Sequence, residues 1–143
     1  MKNYFNNLPS EIKEVISGKS WEAWSFGNDY LLKLVLEGKK TATTGIFNKE
    51  KVSKASLGVI TDSKDIPRCI VEYTSIEVKP FLEVTFDFAQ AEGEGFKNIE
   101  EWRDEHCRVF SNWSKNTFKD TDLVVCTRFK LVHLIPGDIL ETR

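Results

Sequence analysis

The chain reads as an α+β protein, a small and strongly bent mixed sheet or barrel flanked by helices. Three observations carry that reading. Helical and strand-like apolar patterns alternate irregularly, without the strand–helix repeat of a doubly wound parallel sheet. From Thr43 onward the pattern is mainly that of strands. The 143 residues are 41% hydrophobic, with four Trp, three Tyr and ten Phe, enough for a single domain with a real core and unlike a disordered chain.

Leu8-Pro9-Ser10-Glu11 opens a short amphipathic helix in which Ile12, Val15 and Ile16 share a face. The segment Trp21-Glu22-Ala23-Trp24-Ser25-Phe26-Gly27 leads into a second helix; its aromatics are either core and lid residues or a platform on which a base stacks. In that helix Tyr30, Leu31, Leu34 and Val35 recur at helical spacing, and Asn28 or Asp29 is the N-cap. Gly38 is placed to end it in the left-handed conformation. Leu57 to Thr61 is a strand, and Asp62 to Pro67 has turn chemistry. Cys69 to Val78 carries Ile70, Tyr73, Ile76 and Val78 among polar residues, the pattern of a long twisted or bulged strand that Pro80 ends. Thr85 caps a helical turn from Phe86 to Ala91, which Glu92-Gly93-Glu94-Gly95 breaks. Ile99, Trp102, His106, Val109, Phe110 and Trp113 mark one face of a longer helix, with His106 read as a packed core histidine. Leu123 to Val132 closes as a strand, and Pro136-Gly137 turns into a polar tail.

The formal net charge of −2 gives no global field that would recruit nucleic acid. The charges are unevenly spread: Lys33 to Lys54 holds six lysines against two glutamates, and Glu83 to Glu105 eight acids against two bases. Cys69, Cys107 and Cys126 are odd in number and far apart, as in reduced thiols of a cytoplasmic protein. The first residues have no signal-peptide core, and no later run is apolar enough to span a bilayer, so no membrane partner is expected. His106 and His133 lie far apart and only Cys107 adjoins one of them; no metal and no cofactor are expected.

The stretch Leu36-Glu37-Gly38-Lys39-Lys40-Thr41-Ala42-Thr43 delivers cations and hydroxyls together at a helix-to-strand junction. It is not a P-loop, whose order is strand, glycine loop and helix. Its plain reading is a C-cap followed by lysines that complement the helix dipole. In a strand Thr41 and Thr43 point to one face and Lys40 to the other, so Lys40 and Thr43 converge only if the junction is still turning. A threonine hydroxyl needs a neighbouring base, and a lysine serves when desolvated or close to another cation such as Lys39. Glu92 lies between a short helix and two glycines, a place from which a loop presents a carboxylate. Spacing alone does not bring Glu92 to Lys40.

The ordered set Trp24-Ser25-Phe26-Gly27, Gly38-Lys39-Lys40-Thr41-Ala42-Thr43, Val78-Lys79-Pro80-Phe81, Ala89-Gln90-Ala91-Glu92-Gly93-Glu94-Gly95, Trp102 and Arg128-Phe129 resembles the ASCH (activating signal cointegrator homology) family. The match runs from residue 21 to 133, leaving 1–20 as a helical extension and 134–143 as a tail on a single domain. The resemblance implies a PUA-like barrel and a ligand that is RNA or a modified nucleoside. It leaves open an amidohydrolase acting on acetylated cytidine, a ribonuclease, a non-catalytic RNA-binding module and a protein-interaction module. For the amidohydrolase branch it implies Lys40 as base, Thr43 as nucleophile and Glu92 as orienting carboxylate. For the binding reading, Lys39, Arg128 and Lys40 contact phosphate, Trp24 or Phe26 stacks on a base, and Ser25 and Thr41 line the same cleft. Two departures stand out: Ser53-Lys54-Ala55-Ser56 replaces the usual Gly-Asp turn, and the Glu94–Thr121 region is longer than in small amidohydrolase members. Trp102, Val109 and Trp113 are expected in the core.

Overall fold

The structure, a computed structural model, describes residues 8, 10–49, 52–114 and 118–135. The first seven residues, the Pro136-Gly137 turn and the polar tail lie outside the described residues. In chain order the elements are α1 (Ser10–Ile16), β1 (Trp21–Ser25), α2 (Asp29–Leu36), β2 (Ala42–Ile46), β3 (Leu57–Thr61) and β4 (Pro67–Pro80). A 3₁₀ turn (Phe81–Glu83), α3 (Phe86–Ala91), α4 (Ile99–Ser114) and β5 (Leu123–Leu134) follow. The strands make one mixed sheet in the order β1-β3-β4-β5-β2, in keeping with the α+β expectation. Two compact units are distinguished: residues 1–38, 54–73 and 129–143, and residues 39–53 and 74–128.

In the first unit β1 runs parallel to β3, and β3 runs antiparallel to β4 with a register shift between Ile60 and Thr61. All five residues of β3 are buried, as a strand paired on both edges and packed on both faces requires. Its alternation divides the core. Leu57 and Val59 pack with Ile12, Ile16 and Ile70, while Ile60 packs with Leu32, Val35, Cys69, Val71 and Phe129. The aromatic run before α2 is a strand, not a lead-in to the helix: Trp21 and Ala23 join the first cluster, Trp24 and Phe26 the second. The N-cap of α2 is Asn28, whose side chain accepts from the Tyr30 and Leu31 amides, and Gly38 (φ 78°) follows its end.

In the second unit β2 pairs antiparallel with β5, from Ala42 opposite Arg128 to Ile46 opposite Val124. Thr85 caps α3 by accepting from the Phe88 amide, at the boundary the sequence predicts. The core of this unit is aromatic. Phe81 stacks on Trp102 with centroids 5.2 Å apart, and Phe110 and Phe118 meet Phe81 edge-on. Trp102 is fully buried and Val109 partly so, but Trp113 is 65% exposed, contrary to expectation. The helical stripe continues past Phe110, and the Trp113 ring lies tilted against that of Phe110, with centroids 5.7 Å apart. Among the described residues no helix is long and apolar enough to cross a membrane.

Truncation therefore separates two tryptophans of one stripe. Trp102→Ala is expected to lower unfolding free energy by about 3–5 kcal/mol, and Trp113→Ala to change it by no more than about 0.5 kcal/mol, as read from urea denaturation of each variant.

Candidate functional site

The candidate site lies within the second unit, where the residues just before β2 meet the end of α3. Lys40 precedes the strand and is buried, its side chain only 1% exposed. Its ammonium donates to Glu94 Oε2 at 3.2 Å and to the Glu92 backbone carbonyl at 3.5 Å. Thr41 anchors the same junction: its amide and its hydroxyl both donate to the Ala91 carbonyl, at 2.8 and 3.3 Å. Gly93 (φ 72°) makes this approach possible, since a Cβ there would run into the Lys39 carbonyl.

Glu92 is the residue around which the polar groups gather. It is 1% exposed, yet each carboxylate oxygen is occupied. Oε1 accepts from the Trp102 indole N–H at 2.9 Å and faces His106 Nε2 at 2.9 Å, while Oε2 accepts from the Thr44 hydroxyl at 2.5 Å. Burial alone would push this carboxyl up. The His106 hydrogen bond, the charges of Lys40 and His106, and the Thr44 hydroxyl outweigh it and hold Glu92 below the ordinary carboxylate value. His106 is fixed in turn by its Nδ1 contact to the Trp102 carbonyl at 2.9 Å and by stacking on the Trp102 ring.

The residues named from sequence fall in several places. Lys40 and Glu92 come together, but the carboxylate paired with the Lys40 ammonium is that of Glu94. The hydroxyl on Glu92 belongs to Thr44. Ala42 and Ile46 pack on the aromatic core, so alternation puts Thr44 on that face and Thr43 on the other, opposite Thr127 of β5. Lys39 and Thr41 are exposed. Arg128 pairs with Asp87 at 3.0 Å and lies over the Phe88 ring. In the first unit the Trp24 indole donates to the Tyr73 hydroxyl at 2.8 Å and meets Phe26 edge-on, and the Ser25 hydroxyl accepts from the Gly27 amide.

Sequence reasoning passed over Glu94, Thr44 and His106. Alternation through Lys40, Ala42 and Thr44 was a usable signal for the second, and the four-residue step from Trp102 to His106 for the third. Glu92, Glu94 and His106 offer donor atoms within 4.8 Å of one another, a spacing that a metal ion can bridge. Lys40 already stands against Glu94, so a cation there has an ammonium to displace. Cys69 and Cys126 are no candidates for nucleophile: burial pushes their thiols up to about 12 and about 11.

This α+β sheet topology is of the PUA-like class. The chain belongs to the ASCH domain family, whose model matches residues 22–133, and that family is generally linked to RNA. Protein EF3133 from Enterococcus faecalis V583, of the DUF984 family, is 31% identical over 80% of this chain and 77% of its own, with a TM-score of 0.68. An ASCH domain from Lactobacillus crispatus JV V101 is 25% identical over 91% of this chain and 89% of its own, with a TM-score of 0.67. No curated protein sequence matches the chain.

Two predictions follow from the cluster. A carboxyl held below its unfolded value stabilises the fold above that value and loses the contribution as pH falls through the folded one. Glu92→Gln should therefore cost about 3–5 kcal/mol at pH 7. The gap to wild type should narrow as pH drops below about 4.3, measured by urea denaturation at each pH. Gly93→Ala should destabilise by more than the ~1 kcal/mol typical of a substitution, because the obstacle is backbone that cannot swing aside.

Proposed function

We propose that the chain recognises RNA or a nucleoside at the Lys40 site and hydrolyses an amide on a modified nucleoside such as acetylated cytidine. The observation that carries this reading is the Lys40 ammonium, buried and paired with Glu94 at 3.2 Å. A buried ion pair adds little stability over apolar packing of the same volume. Desolvated charge clusters instead mark functional sites, and membership of an RNA-linked family supports a nucleoside-containing ligand.

In this reading Thr43 is the nucleophile, Lys40 the base, and Glu94 the carboxylate that orients Lys40. The Thr43 Oγ–H bond gives its proton to the Lys40 amine as Oγ bonds to the acetyl carbon. The carbon–nitrogen bond of the amide then breaks, and the Lys40 ammonium returns the proton to the leaving cytosine amine. Water cleaves the acyl-threonine ester, releasing acetate and restoring the hydroxyl. Glu92 serves the site from behind, as the carboxylate that holds Thr44 and α4. Lys39 and Arg128 serve as phosphate contacts and Thr41 as a flanking hydroxyl.

Product analysis with acetylated cytidine tests this. Wild type should release cytidine and acetate, and Thr43→Ala and Lys40→Ala should each lose about 10²-fold or more in turnover. Turnover that survives in Thr43→Ala removes the nucleophile assignment. If no variant and no wild-type sample turns over, a salt titration of short RNA decides for a binding module: the slope should flatten by about one ion for each of Lys39 and Arg128 removed.

A further inference from the structure

We infer that His106 is a positioning residue for the Lys40–Glu94 pair, acting through Glu92. The inference deepens the reading above, since it takes Lys40 and Glu94 as the working pair. His106 bonds to Glu92 and reaches the pair through that carboxylate and a short piece of backbone.

The imidazole is held at both ring nitrogens and packed between aromatic rings. Its Nδ1 lies 2.9 Å from the Trp102 carbonyl. Its Nε2 lies 2.9 Å from Glu92 Oε1 and donates to it. The ring stacks on Trp102 with centroids 4.2 Å apart, and the edges of Phe96 and Phe110 close around it. A rotation of the ring breaks both hydrogen bonds at once. The donor aimed at Glu92 is therefore fixed in direction, unlike a lysine or a water.

Glu92 passes that constraint on. It is the C-cap of α3, and its carbonyl accepts from Lys40 Nζ. The next residue, Gly93, sits against the Lys39 carbonyl with no room for a side chain, and the one after is Glu94. Anchoring the Glu92 side chain thus anchors the turn from which one oxygen and one carboxylate reach the Lys40 ammonium. Releasing the anchor loosens the turn and opens Lys40 to solvent. A histidine that merely filled core volume would be replaced without loss by an apolar residue of similar size.

The rate at which acetic anhydride acetylates Lys40, followed by peptide mass spectrometry on the intact folded chain, tests the inference. His106→Leu should speed labelling of Lys40 about tenfold or more, the scale of one charge-assisted hydrogen bond. His106→Gln keeps an N–H donor within reach of Glu92 and should stay within about twofold of wild type. A Lys40 rate unchanged in His106→Leu overturns the inference, as does a His106→Gln variant that reacts as fast as His106→Leu. Should His106→Leu fail to fold, His106→Asn replaces it. That side chain is polar but too short to reach Glu92, and it must react faster at Lys40 than His106→Gln does. The labelling needs no substrate, so a protein that hydrolyses nothing still decides this point.

Discussion

A carboxylate removed from water needs donors in its place, and in the second unit the Glu92 carboxylate sets that demand. Left unpaired at 1% exposure it would take up a proton and not stay charged. Its donors come from separate elements: Thr44 from β2, and Trp102 and His106 from α4. The same Trp102 ring stacks on Phe81 at the centre of the aromatic core. Polar satisfaction and apolar packing thus converge on one side chain. Together they fix the rotation of α4 about its own axis, because a turn of the helix that kept the stacking would lose the indole N–H.

Around that anchor the ionisable groups stand in pairs. Lys40 stands against Glu94, and His106 against Glu92, with the Glu92 carbonyl completing the surroundings of the ammonium. Apolar residues of the same volume would hold the unit together as well or better, so stability alone does not account for four ionisable groups gathered here. Exposure differs within the cluster. Lys40 and Glu92 are sealed, while Glu94 is 21% exposed at its side chain and His106 13%. Solvent therefore meets the cluster at Glu94 and His106.

Much of this was legible in the sequence. Capping chemistry located α3 from Thr85 and the end of α2 from Gly38, and the apolar run at Leu57–Thr61 named the central strand. The order of the short motifs identified the ASCH family and, through it, the fold class. The first strand escaped because Trp21 to Phe26 is dense in aromatics on both faces, which hides the period of two; only the separate clusters joined by Trp21 and Trp24 reveal it. His106 was read as core, and its stacking on Trp102 agrees with that. Its contact to Glu92 depends on two elements meeting, which no local pattern encodes. Trp113 shows the converse limit. A helical stripe states which residues share a face, but not where the neighbouring core ends.

The two adjacent threonines of β2 are set apart by the same physics. Thr44 is the more tightly held: its hydroxyl donates to a carboxylate that His106, Lys40 and Thr44 itself keep below the usual value. A carboxylate so well supplied with donors is a weak proton acceptor, and a hydroxyl needs a base that takes its proton as the bond to carbon forms. The strength of the Thr44–Glu92 bond therefore counts against Thr44 as a nucleophile and in favour of Thr44 as part of the anchor. Thr43 projects from the opposite face of β2, away from that carboxylate. Lys40 stands on the Glu92 side, its charge acting on the same carboxylate that Thr44 holds.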